Sequence, residues 1–279
     1  MSFTKKLGLI AGNGKFPYHF AKCAREKGHE VVAVALEGEA DPDLEKHVDK
    51  LYWSPIGSIG KTIRILKKEE IKQVVMAGQV KHKKLYYGLF LDTTALRILR
   101  NSKDKRADSI LRAVADEFKK EGIDLLPSTI YLKDYFPGSG IINNSKPTKD
   151  ELSDIAFGFR IAKQLAGLDI GQTIVVKDRA VLALEAIEGT DECIIRAGSH
   201  IVKSNEPSQV VVMKVSKPNQ DLRFDVPVLG LRTLDSMIKI GGRVLAFDAF
   251  KTLFLEKEEM IKKADKHKIC IYGVSDKEV

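Results

Sequence analysis

The chain has 279 residues, 44% of them hydrophobic and 30% charged, and carries a net charge of +8 with a sequence pI near 9.2. That is enough chain for two domains with sizeable cores and a soluble surface, and no run of about 20 apolar residues exists to span a membrane. The basic balance points to an anionic partner. The three cysteines, Cys23, Cys193 and Cys270, have no metal-ligand spacing and fit buried thiols in a reducing cytoplasm. The six histidines form no ligand-spaced pair, which argues against zinc. The N-terminus enters a strand at once, so no secretory signal is expected.

In chain order, residues 7–11 read as an apolar strand, followed by Gly12-Asn13-Gly14-Lys15-Phe16-Pro17 and a helix over 16–27. A second strand occupies 30–36. Strand, Gly-x-Gly turn, helix and strand make a right-handed βαβ unit. Such a turn can cradle phosphate, and Glu37 sits where a dinucleotide fold places its ribose acid. Pro17 stands where the third fingerprint glycine would be, which weakens that reading. A short strand at 51–53, a helix capped by Ser58 and a strand at 73–77 follow. Gly12, Gly14 and Gly78 then face one crevice beyond the strand ends, or simply turn the chain.

Residues 81–106 differ in character. Lys81, Lys83, Lys84, Arg97, Arg100, Lys103, Lys105 and Arg106 stand against Asp92 and Asp104, around Leu85-Tyr86-Tyr87-Gly88-Leu89-Phe90-Leu91. Such a run suits an anionic membrane surface, an amphiphilic ligand or single-stranded nucleic acid, or it is a basic loop with one core-packed helix. A helix over 108–120 with Ile110, Leu111, Val114, Ala115 and Phe118 on one stripe closes the first half.

The Pro-, Gly- and Asn-rich stretch 135–147 reads as a linker, giving domains at 1–134 and 148–279. Thr148 with Glu151 forms a capping box for a helix to about residue 165. Strands at 173–176 and 181–187 flank a Lys177-Asp178-Arg179 turn. Glu185, Glu188 and Asp191 follow, with Thr190 or Asp191 capping the next helix. Such acids either converge on a cation or proton-transfer point, or are solvated. A strand at 210–215 leads into 216–227, where Lys217 and Arg223 stand with Asp221 and Asp225 between Pro218 and Pro227. Cations for phosphate oxygens beside carboxylates for Mg²⁺ suit phosphate chemistry. A helix capped by Thr233, a strand at 243–247, a helix at 256–267 and a strand at 269–272 complete the chain. The fold class is α/β: a Rossmann-like parallel-sheet domain and a separate C-terminal α/β (α+β) domain.

The order and spacing of several segments resemble a family over nearly the full length. They are Leu7-Gly-Leu-Ile-Ala-Gly-Asn-Gly-Lys-Phe-Pro17, Ala77-Gly78, Leu111-Arg112-Ala113-Val114, Leu168-Asp169-Ile170-Gly171-Gln172, and Glu185-Ala186-Ile187-Glu188-Gly189-Thr190-Asp191. Lys217-Pro218-Asn219-Gln220-Asp221 and Asp225-Val226-Pro227 continue the series. The chain resembles the UDP-2,3-diacylglucosamine pyrophosphatases of lipid A synthesis, of the type unrelated to the calcineurin-like phosphoesterases. A Gly-Asp-Asp is common in that family before the helix at 108; here Arg106-Ala107-Asp108 stands there, so only Asp108 carries over.

The resemblance implies a Mg²⁺-dependent hydrolase that cleaves UDP-2,3-diacylglucosamine to UMP and 2,3-diacylglucosamine 1-phosphate. It implies substrate held between the two domains of a homodimer, in the cytoplasm and peripheral to the inner membrane, with no nucleic-acid partner. On that basis Asp225 leads the catalytic set with Asp191 and Glu188, and the metal set is Asp225, Glu185 and Asp191. Lys217, Arg223, Thr190, Gly12, Gly14 and Gly78 would hold substrate. Two alternatives stay open: an NAD(P)-dependent oxidoreductase resting on Gly12, Gly14 and Glu37, and a non-catalytic binder of nucleotide sugar or polyanion resting on the +8 charge.

Overall fold

The structure, a computed structural model, describes residues 5–80, 91–101, 107–201 and 209–275. Two compact units divide the chain. The first holds Met1–Leu132 with Asp221–Phe224, the second Lys133–Gln220 with Asp225–Val279. Most of the aromatic basic run, including Lys81, Lys83, Lys84, Lys103, Lys105, Arg106 and the 85–90 apolar core, lies outside the described residues, as does the side chain of Asp108.

The first unit contains β1 (Lys6–Ala11), α1 (Phe16–Glu26), β2 (Glu30–Leu36), β3 (Lys50–Ser54), α2 (Ile59–Lys68) and β4 (Gln73–Ala77). Then come α3 (Thr93–Asn101), α4 (Ala107–Lys120) and β5 (Asp124–Leu125). The strands pair in parallel in the order β3-β2-β1-β4-β5. The near-continuous apolar runs of β1 and β2 suit strands covered on both faces. One core packs Val32, Val34 and Val74 against Ile63 and Leu66 of α2 and Val114 and Phe118 of α4. Chain order reverses between β1 and β4, so the loops after these two strands flank a topological switch point.

The second unit contains β6 (Gly140–Ile141), α5 (Lys149–Gly167), β7 (Thr173–Lys177), β8 (Ala180–Leu184), α6 (Thr190–Gly198) and β9 (Val211–Lys214). Then come β10 (Val228–Leu229), α7 (Leu231–Ile240), β11 (Val244–Asp248), β12 (Leu253–Phe254), α8 (Lys257–Lys266) and β13 (Cys270–Val274). Its main sheet has the order β6-β13-β11-β9-β7-β8, parallel across β13, β11 and β9 and antiparallel outside them. The period of two sorts its side chains onto two cores. Ile174, Val176, Val211, Met213, Val244 and Ala246 face α5. Val175, Val212, Leu245 and Phe247 face α6, α7 and α8.

Local chemistry sets the element ends. The capping box forms as the sequence predicts: Thr148 Oγ1 accepts from Glu151 N–H at 3.2 Å, and Glu151 Oε2 accepts from Thr148 N–H at 2.7 Å. The Asp178-Arg179 turn has φ of 52° and 55°, the left-handed pair that joins two-residue hairpins. Buried Asp154 accepts both of its N–H groups, at 2.9 and 2.6 Å.

Three expected caps are corrected. Gly189, with φ of 87°, precedes α6, so neither Thr190 nor Asp191 caps it and the Thr190 hydroxyl is free to bond elsewhere. Gly230 precedes α7, which puts Thr233 inside the helix. Ser58 precedes α2 but makes no side-chain cap. Asp92 does that work instead, accepting from Gly60 N–H of α2 at 2.7 Å and from Ala95 N–H of α3 at 2.9 Å. The second strand of the hairpin ends at Leu184, because Ala186 N–H turns onto Glu188 Oε2 at 3.1 Å.

Candidate active site

Strand register gathers polar residues at one end of the second sheet. Thr173 pairs with Lys214 across β7 and β9, Ile174 with Leu184 across β7 and β8, and Lys214 with Phe247 across β9 and β11. Glu185, just past the end of β8, therefore lines up with Thr173 and Lys214 in one row, while Asp248 lies one residue beyond the Phe247 that pairs with Lys214. Gly171 is required beside it: a Cβ there would lie 2.0 Å from the Glu185 carbonyl oxygen.

Lys214 is buried, and its Nζ donates to Thr190 Oγ1 at the start of α6. Thr190 Oγ1 donates to Glu185 Oε1 at 3.0 Å and lies 3.2 Å from Thr173 Oγ1. Thr190 has one proton and gives it to the carboxylate, so Thr173 is the donor between the two hydroxyls. Gln172 carries the network onward. Its backbone N–H donates to Glu185 Oε2 at 3.2 Å and its Nε2 to Asp225 Oδ2 at 3.4 Å. Lys217 Nζ closes the chain at 3.3 Å from Asp225 Oδ2 and 2.6 Å from Asp169 Oδ1. Gln220 holds the loop, accepting from Lys217 N–H at 2.6 Å and donating to the Asp225 carbonyl at 3.1 Å.

The structure thus brings Glu185, Thr190, Lys217 and Asp225 into one network. The other nominated residues have different partners. Glu188 pairs with Arg196, which holds its carboxyl below the usual range against an opposing burial effect. Asp191 pairs with Arg232 at 3.1 Å. Arg223 forks onto Asp221, at 2.9 Å from Nε and 2.8 Å from Nη2. That fork holds the Asp221 carboxyl low, and both residues belong to the first unit.

At the switch point of the first unit, Gly12 N–H donates to the Ala77 carbonyl at 2.8 Å, and Asn13 and Gln79 exchange backbone bonds at 2.7 and 3.0 Å. A Cβ on Gly12 would lie 2.6 Å from the Gln79 carbonyl oxygen, and one on Gly78 2.8 Å from that of Asn13. These two glycines let adjacent backbone loops touch. Gly14 shares the φ of 95° with Gly78, but a Cβ there would face open space. Glu37 lies 3.7 Å from Lys61.

Sequence reasoning missed Lys214, Gln172, Thr173 and Asp169. Lys214 had a signal, a lysine closing an otherwise apolar strand, where burial of an amine calls for a local partner. Gln172 and Asp169 stood in one of the segments that carry the family resemblance, but nothing in their residue types or spacing tied them to the 217–225 loop.

The fold and this row of amines, hydroxyls and carboxylates define a two-unit α/β protein with chemistry suited to a phosphate-bearing ligand. Family comparison makes the class specific. The LpxI N-terminal domain matches residues 6–135 and the LpxI C-terminal domain residues 138–272. The chain is also 30% identical to the UDP-2,3-diacylglucosamine pyrophosphatase LpxI of Caulobacter vibrioides, over 98% of this chain and 99% of that protein. The chain belongs to the LpxI family.

Likenesses to solved structures are slight. An ADP complex of N5-carboxyaminoimidazole ribonucleotide synthetase is 12% identical over 71% of this chain and 35% of that chain, with a TM-score of 0.28. The Hydrogenobacter thermophilus 2-oxoglutarate carboxylase biotin carboxylase domain is 16% identical over 72% and 42%, also with a TM-score of 0.28. Neither bears on function. Among the described residues no helix is long and apolar enough to cross a membrane.

Proposed function

We propose that this protein hydrolyses the pyrophosphate bond of UDP-2,3-diacylglucosamine to UMP and 2,3-diacylglucosamine 1-phosphate. The observation that carries the reading is its likeness, over almost its whole length, to a relative named for that pyrophosphatase activity. The geometry of the second unit supports it. Lys214 and Lys217 supply two cations for diphosphate oxygens. Asp225, with its side chain 32% exposed, supplies a carboxylate that solvent reaches. Asp225 takes the proton of the attacking water, and Lys217 holds that carboxylate in place.

A divalent cation is part of the proposal. Among the described residues no three of His, Cys, Asp and Glu gather around one point. Mg²⁺ needs no such cage: it keeps several waters and takes one or two carboxylates plus substrate phosphates. Asp225 and Glu185, joined through Gln172, are the donors that fit; Asp191 is engaged with Arg232. When bound, the ion would neutralise the diphosphate and lower the pKa of the attacking water. We place the enzyme in the cytoplasm as a homodimer, peripheral to the inner membrane where its acylated substrate resides.

The test is release of UMP from UDP-2,3-diacylglucosamine in mixed micelles, with Mg²⁺ and with excess EDTA. Metal-dependent release supports the whole reading. Equal release with EDTA removes the metal and keeps the hydrolase. No release with any divalent ion removes the hydrolase.

A further inference from the structure

The two faces of the second sheet carry different polar clusters at the same end. Lys214, Thr190, Thr173 and Glu185 lie on the α6 face. On the α5 face sits a second cluster. Asp248, the last residue of β11, is 1% exposed, and its Oδ2 accepts from three donors. They are Ser216 Oγ at 2.6 Å, Ser216 N–H at 3.3 Å and Lys163 Nζ at 2.8 Å. Lys163 Nζ also donates to the Ser216 carbonyl at 3.0 Å. The ammonium lies 5.7 Å from the Phe159 ring centroid.

Every polar group of Ser216 is thereby held, and Ser216 immediately precedes Lys217. A buried ion pair is weak evidence for stability, since desolvation offsets its Coulomb gain. Its cost is better explained by what it fixes. Here it fixes the departure point of the loop that carries Lys217 to Asp225. An ordinary strand end would need no buried carboxylate with a half-buried ammonium beside it to hold one serine.

We infer that Asp248 and Lys163 are positioning residues of the active site, clamping Ser216 from behind the sheet so that Lys217 is aimed at Asp225. Both are bonded to Ser216, directly or through each other, and act through it. The inference rests on the hydrolase reading for its effect on turnover. Its effect on the loop stands apart from that reading.

The test uses the full chain as wild type, Asp248→Asn, Ser216→Ala, Lys163→Met and Lys217→Ala, with Asp248→Asn and Ser216→Ala each also combined with Lys217→Ala. Hydrogen exchange of the amides in 217–225 is followed with melting temperature as a control. The clamp predicts exchange faster by about tenfold in that loop, over and above any general rise that a lowered melting temperature brings to the other amides. It also predicts that Asp248→Asn and Ser216→Ala each lower kcat/KM by roughly tenfold in the wild-type background, and by much less beside Lys217→Ala. Loop exchange equal to wild type, or rate losses that simply add to that of Lys217→Ala, would overturn it. Should Asp248→Asn fail to fold, Ser216→Ala removes one hydroxyl and carries the same comparison. Absence of turnover in the wild type would refute the hydrolase reading, while the exchange data would still decide the clamp.

Discussion

Lys217 Nζ lies 3.3 Å from Asp225 Oδ2, on a side chain that is only 17% exposed. The pair is shielded enough for each partner to hold the other in position. On the proposed reaction, Asp225→Ala removes the proton acceptor and lowers kcat by at least about 100-fold, the usual scale for a general base. Lys217→Ala removes a phosphate contact and raises KM about tenfold, or roughly 1.4 kcal/mol. Steady-state kinetics separate the two. Undiminished kcat in the first variant, or an unchanged KM in the second, removes the assigned role.

Thr190 is the joint between a buried ammonium and a carboxylate. Thr190→Val keeps the shape and strands Lys214 and Glu185 without their shared hydroxyl. Leaving such groups unsatisfied costs about 1–3 kcal/mol. Urea denaturation is therefore expected to show a lower midpoint for Thr190→Val and a nearly wild-type one for Thr190→Ser. Equal midpoints for the two variants would mean that the hydroxyl holds nothing together.

The first unit offers a separation of fold from ligand. Gly78→Ala drives a methyl against the Asn13 carbonyl at 2.8 Å and the Gly12 carbonyl carbon at the same distance, in a backbone with φ of 95°. Gly14→Ala has the same φ and open space. Strain alone costs about 1–2 kcal/mol, so Gly78→Ala is expected to destabilise by more than that and Gly14→Ala by no more. If Gly14 lies against nucleotide, its alanine variant folds and loses UMP affinity in calorimetry. Retained affinity would leave Gly14 as a turn residue only.

The legible part of this chain was what periodicity and local chemistry encode. The strands at residues 30–36 and 73–77 and the Thr148 capping box follow from apolar runs and from side chains three residues apart. The caps failed where glycine took the position: Gly189 and Gly230 displaced Thr190 and Thr233, which the sequence pattern alone favours. The proximity of candidate residues was legible when they shared a loop, as Lys217 and Asp225 do. Arg223 lies in the same loop, yet the chain carries Asp221–Phe224 into the first unit, where Ser128 N–H donates to the Leu222 carbonyl at 2.8 Å. Nothing local in 216–227 signals that excursion.

A last prediction concerns pH and rests on Glu69, a buried residue at the end of α2. Its carboxylate accepts from Lys50 Nζ at 2.7 Å and from Tyr52 Oη at 2.5 Å. These bonds, Lys50 first and Tyr52 second, hold its pKa below the ordinary 4.5, while Lys50 is raised above its own ordinary 10.5. A depressed carboxyl pKa means that the unfolded chain binds the proton more readily. Glu69 therefore stabilises the fold at pH values above 4.5 and loses that contribution as pH falls through the folded value. Lys50 behaves oppositely, keeping its contribution below 10.5 and losing it as pH rises through its raised value. Glu69→Gln is thus expected to melt below wild type by a constant margin from about pH 6 to about pH 9, with the margin shrinking toward acid as Glu69 is protonated. Melting curves by circular dichroism, taken from about pH 3 to about pH 9, test it. A margin that stays constant into acid would show that packing around the side chain, rather than the Lys50 and Tyr52 bonds to its charge, accounts for the loss.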